Sequence, residues 1–212
     1  MEVMQKSCSG SAKVEEKSLP AKTMRIGIAG SGPSVGTTHF SILTAGYLAG
    51  ARRKKTAVLE WNNSGAFQLL DKVWQKKTVT KRADKSFNIL GIRFCTETGN
   101  KALLDCVGWQ AEAIVIDFGC FRREIQGELL QCDRRFLVCS VSDWQLSRTA
   151  ELLSESGDFR RIGWEYFTSF GSEETLRMTE RSLGVRIHRI PMSQDAFVIT
   201  GEEMSFFGRF LR

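Results

Sequence analysis

Two hydrophobic patterns alternate along the chain from Met24 onward. Short apolar runs predict β-strands, and longer segments with apolar residues three or four positions apart predict amphipathic helices. The predicted strands are Arg25–Ala29, Thr56–Trp61, Phe87–Cys95, Ala113–Phe118, Arg135–Val141, Trp164–Phe170 and Val185–Ile190. The predicted helices are Thr37–Ala51, Ala66–Trp74, Asn100–Trp109, Glu124–Gln131, Trp144–Glu155, Ser172–Leu183 and Glu202–Leu211.

This alternation predicts the fold class. Strands separated by helices are typical of a three-layer α/β domain, in which a mostly parallel sheet carries helices on both faces. The near-continuous apolar run Ala113–Phe118 is what a strand buried on both faces requires. Residues 1–23 are polar, mixed in charge and without periodicity, so we predict a disordered N-terminal tail followed by one domain over residues 24–212.

Composition narrows the class of protein further. The 212 residues are 42% hydrophobic, which is enough for a core. No apolar run approaches the ~20 residues that span a bilayer, and the N-terminus has no apolar signal segment, so we expect a cytoplasmic protein. The six cysteines form no Cys-x-x-Cys pair and there are only two histidines. We therefore expect neither a disulfide framework nor a zinc site.

The net charge of +6 includes basic clusters at residues 52–55, 76–77 and 81–82. We interpret them as solvated helix ends and loops. Non-specific binding to DNA stays open as an alternative, although no helix-turn-helix or RNA-binding motif indicates a sequence reader.

The last predicted helix, Glu202–Leu211, has the apolar residues Met204, Phe207 and Leu211 on one stripe. Its two opening glutamates would repel anionic lipid. We therefore expect this helix to dock on the sheet, and we do not expect a membrane partner.

The loop after the first strand carries the strongest chemical signal. It is rich in glycine and serine and leads directly into a helix. Glycines let a backbone curl around an anion, and the N–H groups at a helix N-terminus attract phosphate. The residues that we predict to bind a phosphate-containing cofactor are Gly32, Ser34, Val35, Gly36, Thr37 and Thr38.

Acidic residues at two strand ends are further candidates. Asp117 lies near the end of the buried strand Ala113–Phe118, and Glu60 lies near the end of Thr56–Trp61. Ligands bind at the carboxyl ends of parallel strands, which favours a functional role for Asp117. The Asn/Ser/Gly cluster that begins at Asn62 is equally well explained by ordinary turn chemistry.

The Gly32–Thr38 segment resembles the deviant Walker A motif of the ParA/MinD family of P-loop ATPases, which reads Lys-Gly-Gly-x-Gly-Lys-Thr. Gly36 and Thr38 match this motif, whereas Gly32 and Thr37 stand where the family has lysines. Asp117 resembles the acidic residue of the family's Walker B element. The resemblance covers about residues 24–212 and implies a P-loop NTPase-like fold.

The same resemblance implies ATP or ADP with Mg²⁺ as ligands, with Thr38 and Asp117 holding the metal. It also implies a homodimer or a protein partner. Family members end strand two with Asp-x-Asp, where this chain has Glu60 and Asn62. Loss of the lysine that neutralises the β- and γ-phosphates removes a transition-state interaction worth several kcal/mol. We therefore expect weak or absent hydrolysis, with nucleotide binding retained.

The resemblance implies two alternative functions. The first is a nucleotide-dependent switch that positions or assembles a partner. The second is a non-hydrolysing pseudo-ATPase scaffold for a bacterial secretion, pilus or partitioning assembly. A Rossmann dinucleotide-binding site is a weaker alternative: Gly30, Gly32 and Glu60 suit it, but Val35 occupies the position of its third glycine.

Overall fold

A computed structural model of the chain describes residues 23–77, 85–155 and 163–211. The strands are β1 Met24–Gly30, β2 Thr56–Glu60, β3 Ser86–Ile89, β4 Ile92–Cys95, β5 Ala113–Cys120, β6 Arg134–Cys139, β7 Trp164–Thr168 and β8 Ile187–Arg189. The helices are α1 Thr37–Gly46, α2 Ala66–Lys77, α3 Asn100–Gly108, α4 Gln126–Leu130, α5 Asp143–Glu155, α6 Glu173–Leu183 and α7 Gly201–Phe207. Apart from Thr23, the tail predicted for residues 1–23 lies outside the described residues.

The eight strands form one sheet in the order β3-β4-β2-β5-β1-β6-β7-β8. All neighbouring strands run parallel except β3 and β4. Strand β5 lies between β1 and β2, so the carboxyl ends of these three strands open onto the same edge of the sheet. Glu60 on β2 pairs in register with Asp117 on β5. The predicted mostly parallel α/β sheet is confirmed.

Helices cover both faces of this sheet, as predicted for a three-layer fold. On one face, Phe40 of α1, Phe67 of α2 and Phe207 of α7 belong to a single apolar cluster with the sheet. On the other face, α3, α4, α5 and α6 pack through residues that include Cys106 and Leu129. Near-continuous apolar strands result from this double coverage, because neither face of a central strand meets water.

The C-terminal helix docks on the sheet, as expected. Phe206, Phe207 and Leu211 are 2%, 1% and 2% exposed. Phe207 stacks on Phe40 with ring centroids 5.5 Å apart. Each such buried side chain contributes roughly 1.5–3 kcal/mol. Met204, which shares the predicted apolar stripe, remains 45% exposed. In the described ranges, no helix is long and apolar enough to cross a membrane.

The prediction of a single strand over Phe87–Cys95 is wrong. This segment forms a β-hairpin in which Leu90 and Gly91 make a two-residue turn between β3 and β4. Both residues have positive φ, 48° and 81°, as the turns of tight hairpins require. The apolar alternation continues on both sides of the turn, so the pattern alone does not reveal the reversal.

The basic segment at residues 52–55 lies between α1 and β2, on the edge of the sheet opposite the carboxyl ends. Arg52 and Arg53 are exposed, whereas the Lys55 ammonium lies over the Trp109 ring at 4.5 Å. This placement agrees with the interpretation of residues 52–55 as part of a solvated loop. The cluster at residues 81–82 lies outside the described residues, and DNA binding stays an open alternative.

Candidate phosphate-binding site

A cleft of about 450 Å³ opens at the carboxyl edge of the sheet, among the β1–α1 loop and the ends of β2 and β5. The cleft lies there because the loops that follow parallel strands all lie at the carboxyl edge of the sheet. The predicted cofactor-binding residues that line it are Gly32, Ser34, Gly36, Thr37 and Thr38.

The loop backbone can receive an anion. Ser34 and Gly36 have left-handed conformations, with φ of 58° and 96°. Gly36 is the N-cap residue of α1, and no side chain caps this helix. Within the described residues, the N–H groups of Gly36, Thr37 and Thr38 donate to no protein acceptor. Such unpaired groups at a helix N-terminus are the donors that hold phosphate in other proteins.

Val35 is the predicted loop residue that does not line the cleft. It is 1% exposed and belongs to the core cluster beneath the loop. A Cβ built on Gly30 would lie 2.8 Å from Val35 Cγ2 and would also collide with Thr37 Oγ1. Gly30 therefore lets the loop pack tightly on β1. Only the backbone of Val35 is available to a ligand.

The two predicted metal ligands meet in the structure. Thr38 donates its hydroxyl to Asp117 Oδ2 at 2.6 Å, and Gly119 N–H donates to Asp117 Oδ1 at 2.9 Å. Asp117 is fully buried. Burial raises its pKa from 3.8 to about 6, although the hydrogen bonds from Thr38 and Gly119 oppose this rise and nearby Glu60 adds to it.

The Thr38–Asp117 pair suits Mg²⁺ that is held partly by phosphate and water, and it does not suit a metal that needs protein ligands alone. A hydroxyl and a carboxylate are hard oxygen ligands, and Mg²⁺ commonly completes its shell with phosphate oxygens and water. In the described part of the chain, no group of three His, Cys, Asp or Glu residues could hold a metal. Thr38 and Asp117 would therefore hold the ion together with a phosphate ligand.

The end of β2 is organised differently. Glu60 is 2% exposed and accepts hydrogen bonds from Ser64 Oγ at 2.6 Å, Ala66 N at 2.7 Å and Phe67 N at 3.3 Å. These donors belong to the turn before α2 and to its first residues. Glu60 is therefore the acceptor that caps α2, and its charge complements the positive end of the helix dipole.

Asn62 is also engaged in local structure, although it lines the cleft. Its Oδ1 accepts from Ser64 N at 2.9 Å, and its Nδ2 donates to the Asp117 carbonyl at 3.0 Å. The first bond forms an Asx-turn and the second ties the β2 end to β5. The turn interpretation of this cluster agrees with these contacts.

No protein-family model and no curated protein matches the chain. Solved structures do match. A ParA family ATPase from Chlorobium tepidum has a TM-score of 0.57 at 15% identity, covering 81% of this chain and 85% of that chain. A putative plasmid partition protein from Borrelia burgdorferi, bound to AMPPNP, has a TM-score of 0.58 at 14% identity over 88% and 96%. The MinD cell division protein of Aquifex aeolicus has a TM-score of 0.58 at 12% identity over 81% and 84%.

The chain has the fold of the ParA/MinD-type P-loop ATPases. The low identities make it a divergent example of this fold. In this chain β5 lies between β1 and β2. The Rossmann order places β1 directly beside β2. The dinucleotide alternative therefore fails on topology, and Glu60, its candidate ribose ligand, is occupied by α2.

Two arginines close to the loop were not singled out from the sequence. Arg122, after β5, lines the cleft. Arg148, on α5, lies against Gly32, where a Cβ would be 2.9 Å from its Cδ. No lysine is among the described residues that line the cleft. No local pattern indicates Arg148, because only the packing of α5 brings it to the loop.

A second and larger cleft of about 1030 Å³ adjoins the first at Gly36 and His39. Phe170, the Ile190-Pro191 turn and one side of α7 also line it. Burial lowers the pKa of His39, although Asp195 and Glu203 oppose this effect. The two clefts therefore share residues at the start of α1, with β5 at the far side of the first and α7 at the far side of the second.

Proposed function

We propose that this protein binds ATP with Mg²⁺ in the cleft at the β1–α1 loop and acts in the cytoplasm as a nucleotide-dependent switch that positions or assembles a partner. One observation carries the proposal. The unpaired N–H groups at the start of α1 lie at the cleft, and Thr38, which lines the same cleft, is joined at 2.6 Å to the buried Asp117 behind it. That arrangement offers donors to phosphate and oxygens to the cation in adjacent positions.

The adjoining second cleft supports a nucleotide rather than a lone phosphate. Its volume of about 1030 Å³ lies at the upper end of small-molecule sites. It begins at Gly36 and His39, where the phosphate cleft ends. The Borrelia burgdorferi structure of similar fold is bound to AMPPNP, which supports the same class of ligand here.

Slow hydrolysis is part of the proposal. No lysine lines the described cleft, so the loop lacks the usual point charge on the transferred phosphoryl group. At the end of β2, Glu60 is bound to the α2 N-terminus and Asn62 cannot accept a proton from water. These observations support turnover at or below the rates of slow ATPases.

A second candidate function is a pseudo-ATPase scaffold that binds a partner without turnover. Thr37 and Gly32 in place of lysines favour it. A protein partner or a second copy has exposed apolar surface to contact, since Trp144 and Met192 are 83% and 94% exposed. One solved structure of similar fold is the MinC:MinD cell division protein complex of Aquifex aeolicus, at a TM-score of 0.57.

Calorimetric titration with ATP, ADP and Mg²⁺ tests the proposal. We expect binding by the wild type and none by Gly36→Val, because a β-branched residue does not tolerate a φ of 96°. Gly184→Val is the matched control: Gly184 also has a positive φ, 62°, but it ends α6 and lines neither cleft. It should bind normally if folded.

An independent readout uses Cys120, the exposed cysteine at the cleft, since the other described cysteines are buried. In a Cys8→Ser background, ATP with Mg²⁺ should slow maleimide labelling of Cys120. Absence of binding and of protection at millimolar ATP would reject the switch and favour the scaffold. Rapid ATP hydrolysis that disappears in Asp117→Ala would contradict the slow-turnover part.

A further inference from the structure

One face of α5 lies along the phosphate loop. Thr149 donates its hydroxyl to Ser140 O at 2.9 Å, so it accepts the hydrogen bond that joins it to Ser31 Oγ, also 2.9 Å long. Ser31 and Thr149 are both buried. One turn earlier, Gln145 Nε2 donates to Pro33 O at 3.4 Å. These contacts fix the helix against the loop on both sides of Gly32.

Arg148 occupies the position between these two contacts. It lies three residues after Gln145, so both side chains lie on one helix face. A Cβ on Gly32 would lie 2.9 Å from Arg148 Cδ and 3.3 Å from Nη1. Gly32 does not have a positive φ. The glycine at this position is therefore explained by the close approach of Arg148 and not by an unusual backbone conformation.

The charge of Arg148 is available to a ligand. The side chain is exposed, and among the described residues it makes no hydrogen bond or ion pair. Its field reaches the cleft wall: burial raises the pKa of the Cys120 thiol, while Arg148 and then Arg122 oppose that rise. The loop itself contains no basic residue between Gly30 and Thr38.

We infer that Arg148, delivered from α5 across Gly32, is the cationic residue that contacts the phosphate groups of a ligand bound at the Gly32–Thr38 loop. This inference rests on the proposed nucleotide site. A guanidinium offers a planar fork of donors that pairs with two phosphate oxygens at once. The missing loop charge is thus replaced by a residue from another element. A side chain at position 32 would force Arg148 to move from its present position against the loop.

The test measures ATP–Mg²⁺ and inorganic pyrophosphate affinities by calorimetry for the wild type, Arg148→Ala and Arg148→Lys. We expect Arg148→Ala to lower the affinity for both ligands at least about 10-fold, as loss of a charge-assisted contact does. Arg148→Lys should be intermediate, since lysine keeps the charge but not the fork. Arg134→Ala is the matched control, because Arg134 is also exposed but begins β6 at the opposite edge of the sheet.

A second variant tests the geometry. Gly32→Ala should displace Arg148 and weaken pyrophosphate binding by more than about 3-fold, but by less than Arg148→Ala does, because the arginine side chain is flexible. In the Arg148→Ala background, the same Gly32→Ala change should cost less than about 3-fold, because the clash that it causes is then gone. The Arg148 variants should fold, since alanine is favourable in a helix and position 148 is exposed. Thermal melts verify this.

The outcomes separate this inference from the function on which it rests. If the wild type binds neither ATP nor pyrophosphate, the proposed function fails and the role of Arg148 fails with it. If the wild type binds and Arg148→Ala binds within 2-fold of it, the function stands and only the assignment of Arg148 is overturned. A selective loss in Arg122→Ala, with Arg148→Ala normal, would move the cationic role to Arg122 and also overturn it.

Discussion

Two neighbouring strands, β2 and β5, carry buried carboxylates near their carboxyl ends, and these residues, Glu60 and Asp117, pair in register. Both residues come after a buried apolar run. The Glu60 oxygens accept from a hydroxyl and two backbone N–H groups at the start of α2. Asp117 accepts one backbone N–H, from Gly119, and turns its other oxygen to Thr38 in the cleft.

The two carboxylates differ because the chain takes a different path after each strand. After β2, a short turn brings the N-terminus of α2 back over the strand end, so the N–H groups of the helix donate to the Glu60 carboxylate. After Asp117, Gly119 has a φ of 65° and the chain runs on along the cleft wall. Among the described residues, Asp117 accepts a side-chain hydroxyl from the first turn of α1 but no backbone N–H of a helix, and burial raises its pKa to about 6. Equivalent positions on neighbouring strands thus hold a carboxylate that caps a helix in one case and, in the other, a buried carboxylate with a raised pKa, which is typical of functional sites.

The comparison predicts that Glu60→Ala is the most damaging of three substitutions. Three donors around a residue that is 2% exposed would lose their acceptor. We expect a loss of about 3–4 kcal/mol in the free energy of unfolding, measured by urea denaturation. Glu60→Gln, which keeps one acceptor oxygen, should lose less than half of that. Equal stability of Glu60→Ala and the wild type would show that α2 does not depend on this cap.

Asp117→Asn should have the opposite effect on stability. Between pH 3.8 and about 6 the folded protein holds a proton on Asp117 that the unfolded chain has released, so stability falls as the pH rises through this window and is level above it. The pKa shift sets an upper limit of about 3 kcal/mol on the gain in the free energy of unfolding of Asp117→Asn. A weaker hydrogen bond from Thr38 to the asparagine reduces the expected gain to about 2 kcal/mol. The variant should be more stable at pH 7.5 but should lose Mg²⁺-dependent ATP binding.

Melting temperatures of both proteins from pH 4.5 to pH 7.5 provide the measurement. The gain of Asp117→Asn should shrink towards the acidic end, because the wild type becomes protonated there. A gain that is constant across this range would mean that ionisation of Asp117 does not oppose folding. A less stable variant at pH 7.5 would show that the carboxylate is held as favourably as that of Glu60.

The smallest expected effect is that of Asn62→Asp, which restores an acid at the end of β2. The new carboxylate would face the Asp117 carbonyl, to which Asn62 Nδ2 now donates at 3.0 Å. We expect a loss of about 1 kcal/mol in stability and no gain in ATP hydrolysis, measured by urea denaturation and phosphate release. Asn63→Asp, one residue further along, is the control. A clear rise in hydrolysis in Asn62→Asp alone would show that the β2 end keeps a latent catalytic role.

The hydrophobic pattern predicted the sheet well because buried parallel strands need apolar residues on both faces, as Ala113–Phe118 has. The hairpin at Leu90 and Gly91 was missed because two short strands joined by a two-residue turn have the same alternation as one long strand. The end of α1 also differs, since the predicted helix becomes a π-helical turn over Tyr47–Ala51. Backbone geometry at such points depends on packing rather than on periodicity.

The sequence by itself determined the parts of the site that are local in the chain. A strand, a glycine-rich loop and a helix start succeed one another within residues 25–40, and Asp117 ends a recognisable buried run. The tertiary structure alone decided which carboxylate caps a helix and which basic side chain lies against the loop. Glu60 caps α2, whose N-terminus reaches this carboxylate only after the turn folds back. Arg148 reaches Gly32 only because α5 packs along the loop, and contacts between residues so distant in the chain leave no periodic trace.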